Sequence, residues 1–86
     1  MKIAVEIEIE IEKYEAIFLQ VIRTGYVRRN ATGSYSAQGG MTVGSATFDK
    51  FIVFGLVTKL TDDDITWVLN KAGYEMAIKV EKFASA

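Results

Sequence analysis

The sequence predicts an α+β domain in which helices cover one face of an antiparallel sheet. Three observations carry that expectation. From Lys2 to Glu12, Ile3, Val5, Ile7, Ile9 and Ile11 alternate with Ala4, Glu6, Glu8, Glu10 and Glu12, and a strand turns successive side chains to opposite faces. The period then changes: Tyr14, Ile17, Phe18, Val21 and Ile22 follow the i, i+3, i+4, i+7, i+8 spacing of an amphipathic helix. Alternation returns in Ala46–Lys59, with Ile52, Phe54 and Leu56 on one face and Phe51, Val53 and Val57 on the other.

Taken in order, Lys2–Glu12 reads as one long strand with a β-branched face and a carboxylate face. Four Glu on that second face exclude it from a core, so the sheet is acidic on its open side. A helix over Lys13–Thr24 follows, with Arg23 near the negative end of its dipole and Gly25 placed for a left-handed cap. Tyr26–Ala37 contains Asn30 and Gly33, which weaken a strand, so a short or bulged edge strand is expected. Gln38–Ser45, with Gly39, Gly40 and Gly44, reads as a flexible hairpin loop.

Ala46–Lys59, apolar on both faces, is expected at the centre of the sheet. Thr61 and the three Asp that follow it read as a helix start, because carboxylates favour the positive end of the dipole. Ile65, Val68, Leu69 and Ala72 would form its buried stripe and Gly73 its end. Tyr74, Met76, Ile78 and Val80 alternate with Glu75, Ala77, Lys79 and Glu81, the pattern of a last strand. The order β-α-β-β-α-β is the ferredoxin-like sandwich: a four-stranded antiparallel sheet with two helices on one face. Ile7, Ile9, Phe18, Val21, Phe54, Leu69 and Ile78 are its expected core.

With 86 residues the chain is read as a single domain, residues 1–86. The formal net charge of −1 gives no overall steering toward nucleic acid or membrane. Without Cys or His there is no disulfide frame, no thiolate, and neither the commonest general base nor the commonest zinc ligand. No catalytic residue, cofactor or metal is therefore expected. No secretory or membrane-spanning run is visible, and a cytoplasmic setting is expected.

Several groupings invite a chemical reading. Gly39 and Gly44 stand at phosphate-loop separation, but Ser45 and Ala46 follow where that loop needs Lys and a hydroxyl. Asp62, Asp63 and Asp64 on a helix turn would point about 100° apart and could not converge on one ion. Glu6, Glu8, Glu10 and Glu12 form either a solvated strand face or an acidic surface for a basic partner. Trp67 is either a core margin or an exposed anchor. Tyr26, Arg28, Arg29 and Tyr35 could serve nucleic acid, since Arg meets phosphate and Tyr stacks on bases. A Glu-filled central strand on the same open face would repel phosphate, and this ranks nucleic acid second.

The leading expectation is a small non-catalytic protein-interaction or inhibitory module, comparable in size and composition to small virus-encoded antagonists. It would bind a partner protein, possibly basic, through Glu6, Glu8, Glu10, Glu12, Phe51, Val53 and Trp67. An apolar strand face at Phe51, Val53 and Val57 would need a cover, which predicts a homodimer. The alternative is a nucleic-acid-binding domain using Tyr26, Arg28, Arg29 and Tyr35.

Overall fold

A computed structural model describes residues 2–4, 10–62 and 64–86, the side chains of 2–4 excepted. Two strands, β1 (Lys2–Ala4) and β2 (Glu10–Glu12), pair antiparallel with Ile3 opposite Ile11. The single straight strand expected from Lys2 to Glu12 cannot make that pairing, and Glu6, Glu8, Ile7 and Ile9 lie outside the described residues. At Glu10–Glu12 the alternation holds: Glu10 is exposed and Ile11 fully buried. The chain continues as α1 (Lys13–Val21), β3 (Val27–Arg29), β4 (Tyr35–Ala37), β5 (Thr42–Val43) and α2 (Ser45–Val53). It ends with β6 (Val57–Lys59), β7 (Thr66–Leu69), α3 (Lys71–Lys79) and α4 (Glu81–Ser85).

The α+β class stands, with an arrangement different from the expected four-stranded sandwich. Five antiparallel strands form the main sheet in the order β5-β4-β3-β7-β6, and the β1–β2 hairpin is separate from it. Three assignments change. Ser45–Val53 is helix, Thr66–Leu69 is strand and Lys71–Lys79 is helix, the reverse of the pattern read from Ala46 onward. Tyr26–Ala37 becomes a hairpin of β3 and β4, and β3 lies at the centre of the sheet, not at its edge. Asp62 and Asp64 lie in the connection between β6 and β7 and not in a helix, with Leu60 N–H donating to the Thr66 carbonyl at 2.8 Å.

One core joins the helices to the inner sheet face. Phe48 of α2 is its hub: it stacks on Tyr35 at 4.0 Å between centroids and meets Trp67 edge-on at 5.8 Å. Phe51, one turn on, packs against Phe48 and Phe18. Of the expected core, Phe18 and Leu69 are buried, whereas Val21, Phe54 and Ile78 are exposed at 38%, 39% and 58%. In α1 the buried positions are Glu15, Ala16, Phe18 and Leu19, continued by Ile22, so the inward stripe is rotated from the expected one.

Glu15 is a carboxylate inside the core, and its partners account for that position. Its Oε1 accepts from Lys50 Nζ at 2.6 Å and from the Glu12 backbone N–H at 2.8 Å. Glu12 returns the contact by accepting from the Glu15 backbone, a reciprocal capping box. Lys50 Nζ also donates to the Glu10 carbonyl at 2.9 Å. This ion pair therefore ties β2, α1 and α2 together.

Gly73 is inside α3, in its first turn, and does not end a helix. Its N–H donates to the side chain of the N-cap Asn70 at 2.9 Å. A Cβ there would stand 2.1 Å from the Leu56 carbonyl oxygen, so only glycine lets α3 approach the β6 entry so closely.

Candidate functional site

Strand pairing decides which side chains reach the outer face of the main sheet. Arg28 is paired with Ser36 on one side and Thr66 on the other, and Ser36 with Thr42. Directly paired residues project to the same side, so Thr66, Arg28, Ser36 and Thr42 form one row across four strands. Thr58 and Val68 form the next outward pair. Val27, Ala37, Tyr35, Val43 and Leu69 alternate with these and are buried toward the helices.

The outer face is polar but almost uncharged. At the outward strand positions named, Arg28 is the single charged side chain and no carboxylate occurs. Ser36 Oγ and Thr42 Oγ1 lie 2.7 Å apart, and Asn30 Nδ2 donates to both Ser34 Oγ and Ser36 Oγ at 2.9 Å. These bonds link the hydroxyl and amide side chains of the face to one another.

Two shallow depressions flank Arg28. One, of about 360 Å³, is lined by Tyr26, Arg28, Asn30, Ser36 and Gln38. The other, of about 580 Å³, is lined by Arg28, Arg29, Asn30, Ala31, Gly33 and Ile65. Arg28 and Asn30 line both. An aromatic ring, a guanidinium and an amide thus succeed one another along β3 and its exit, at i, i+2 and i+4. Gly33 takes φ +93° in the β3–β4 turn, where the Gly33 N–H donates to the Asn30 carbonyl at 2.9 Å.

The residues singled out from sequence are dispersed. Arg28 and Arg29 are exposed and share the larger depression, while Tyr26 is half-buried in the smaller. Tyr35 points the other way, 6% exposed and stacked on Phe48, so it is not part of this surface. Phe51 is fully buried because its segment is a helix with Thr47, Phe48 and Phe51 turned inward, and the apolar strand face expected at Phe51, Val53 and Val57 does not form. Val53 alone of those three is exposed, at 79%. Trp67 is half-buried against Phe48, and its Nε1 donates to the Asp64 carbonyl at 3.1 Å. Glu10 is exposed and Glu12 half-buried, both in the separate hairpin.

Sequence reasoning missed Asn30, Ser36, Gln38, Thr42 and Thr66. The signal was the absence of charge from Asn30 to Phe48 together with frequent hydroxyl and amide side chains. Among the described residues no cluster of three Asp or Glu converges as a metal site would require. No helix of the described residues is long and apolar enough to cross a membrane. Compared with known protein families, curated proteins and solved structures, the chain matches none.

Proposed function

We propose that this domain binds nucleic acid through the outer face of its five-stranded sheet. The carrying observation is Arg28 on the central strand, in a carboxylate-free row with Thr66, Ser36 and Thr42. The objection from sequence was electrostatic: glutamates were expected on the central strand of the open face. Glu10 and Glu12 belong instead to the hairpin packed against α1, on a different sheet. Glu6 and Glu8 lie outside the described residues, and with no carboxylate at the paired outward positions, guanidinium, aromatic and amide groups offer phosphate contact, stacking and hydrogen bonding together.

A near-neutral chain with few cations should bind modestly, in the range of about 10⁻⁴ to 10⁻⁶ M at physiological salt. Fluorescence anisotropy with short labelled oligonucleotides tests this. Arg28→Glu should abolish binding, while Lys71→Glu, the same charge change on the exposed start of α3, should leave most of it. Absence of any binding by the wild type at low salt would refute the proposal.

A second reading keeps the domain as a protein-interaction or inhibitory module, self-associating or holding a partner. Four exposed apolar side chains support it: Val53, Ile78, Tyr74 and Phe54, at 79%, 58%, 44% and 39%. The close approach of Gly73 to Leu56, and the Asn70 side chain donating to the Gly55 carbonyl at 2.7 Å, bring the end of α2 near the start of α3. Light scattering decides the self-associating form: a monomer at high concentration rules it out. A cytoplasmic setting, which the cysteine-free composition suits, goes with either reading.

A further inference from the structure

We infer that the ligand of the sheet face is a single strand, seated with a phosphate by Arg28 and a base against Tyr26. This rests on the nucleic-acid reading above and goes beyond it by selecting the strand state and the path. The first argument is width. Five strands spaced about 4.8 Å apart make a face roughly 19 Å across, too broad to enter a major groove about 12 Å wide. A sheet of this kind can instead lie under unstacked bases, whose flat faces are available only in a single strand.

Charge makes the second argument. A duplex is held largely by phosphate neutralisation, which needs several cations aligned with two backbones. Among the paired outward positions the outer face offers Arg28, while Arg29 is paired with Tyr35 and so projects to the other side. Exposed residues of α2 are Ser45, Ala46, Asp49 and Val53, so this helix adds no exposed cation. The β6–β7 turn carries Asp62 and Asp64. Little of the attraction can therefore be electrostatic, and stacking and hydrogen bonding must supply the rest.

The two depressions give the path. The larger holds both arginines at the β3–β4 turn; the smaller places Tyr26 opposite the amides of Asn30 and Gln38. Arg28 lies on the boundary, within reach of a phosphate on one side and of the sugar or base on the other. One nucleotide can thus span both depressions, with its base edge facing amide donors and acceptors.

The test compares unstructured DNA and RNA oligonucleotides with a blunt duplex of the same sequence, each over a salt series. Single strands should bind at least tenfold more tightly than duplex, and a DNA or RNA preference within that arm identifies the source. The slope of log affinity against log salt should be shallow, about −0.7 to −1.4 for one or two phosphates. Arg28→Ala should reduce that slope by about 0.7. Tyr26→Ala should weaken binding roughly 5- to 150-fold with the slope unchanged, the range expected for one stacked base. Because Tyr26 is half-buried, Tyr26→Phe is the companion variant: it keeps the ring and should bind like wild type. Duplex bound as tightly as single strand, or a steep slope, would overturn this inference and leave the nucleic-acid reading standing. Failure of both ligands to bind would overturn the two together.

Discussion

Replacing Gly73 by Ala separates helix propensity from packing, because the two predict opposite signs. Gly73 sits in the first turn of α3, where Ala is better than Gly by about 0.8–1 kcal/mol on propensity alone. The structure argues the reverse. A Cβ would lie 2.1 Å from the Leu56 carbonyl oxygen, 3.1 Å from its carbonyl carbon and 2.6 Å from Leu69 Cδ2. The leucine side chain can rotate, but the carbonyl is backbone and is already engaged: it accepts from the Asn70 N–H at 3.1 Å. Relief therefore requires α3 to lift from the β6 entry by more than an ångström. That movement would strain the Asn70 cap and its bond to the Gly55 carbonyl. Overpacking of this kind costs about 1–3 kcal/mol, and losing a cap about 1 kcal/mol more. After the propensity gain, a net loss of about 1–3 kcal/mol is expected. For a domain of this size each kcal/mol shifts the thermal midpoint by about 4–8 °C. Urea and thermal unfolding of Gly73→Ala beside wild type read this directly. A midpoint unchanged or raised would refute the close approach of α3 to Leu56.

Phe51→Ala should cost about 3–5 kcal/mol because the ring is fully buried between Phe18 and Phe48, whereas Phe54→Ala should cost under about 2 kcal/mol. Equal losses in chemical denaturation would contradict the helical assignment of Ser45–Val53. Glu15→Ala removes the acceptor that holds Lys50 and caps α1, and should cost about 3 kcal/mol, the lower end for a broken buried pair. A near-neutral result would mean that the pair is not formed in solution. Lys59 is held above its ordinary pKa of 10.5 by the hydrogen bond from its ammonium to Asp64 and by that carboxylate's charge. Its small contribution is thus fully present below the ordinary value and fades as pH rises through the higher folded one. Asp64→Asn suits the left-handed φ of 61° and should remove the shift, read by NMR titration of the lysine ammonium.

Much of the chain carries both periodicities at once, and this decided which elements were legible. In Gly73–Val80, Met76 and Val80 belong to a strand template with Tyr74 and Ile78, and to a helix template with Gly73 and Ala77. The structure buries the helical set and exposes Tyr74 and Ile78. Glycine hid that set, since it counts as a breaker in sequence but here provides a close packing surface. The segment from Ser45 misled in the same way. Thr47, Phe48 and Phe51 are the inward positions, yet the adjoining apolar run Ile52–Leu56 reads as a strand apolar on both faces. In α1 the hidden member was Glu15, whose charge excludes it from any hydrophobic count although it shares the buried face with Phe18, Leu19 and Ile22. The existence of α1 was legible, but its end was not: the helix stops at Val21 with Ile22 as its C-cap, and Gly25, at φ +96°, lies beyond that cap and does not form it.

The proposed binding face was legible in its residues but not in its position. Tyr26 and Arg28 stand out from sequence because Arg meets phosphate and Tyr stacks on bases. Their significance depends on which strand is central, and that is a property of pairing. Thr66 and Ser36 become neighbours of Arg28 only because β7 and β4 both pair with β3, although Thr66 is far along the chain. The same pairing turns Tyr35 inward, since it is opposite Arg29 and beside Phe48. Sheet order also sets the charge seen by a ligand. Glutamates on a central strand would repel phosphate; Glu10 and Glu12, on a separate hairpin, are outside the row that Arg28 occupies. The proposed preference for nucleic acid over protein therefore rests on one topological fact, the placement of β3 between β4 and β7. A variant that preserved every side chain but exchanged the places of β2 and β3 would carry the original objection in full.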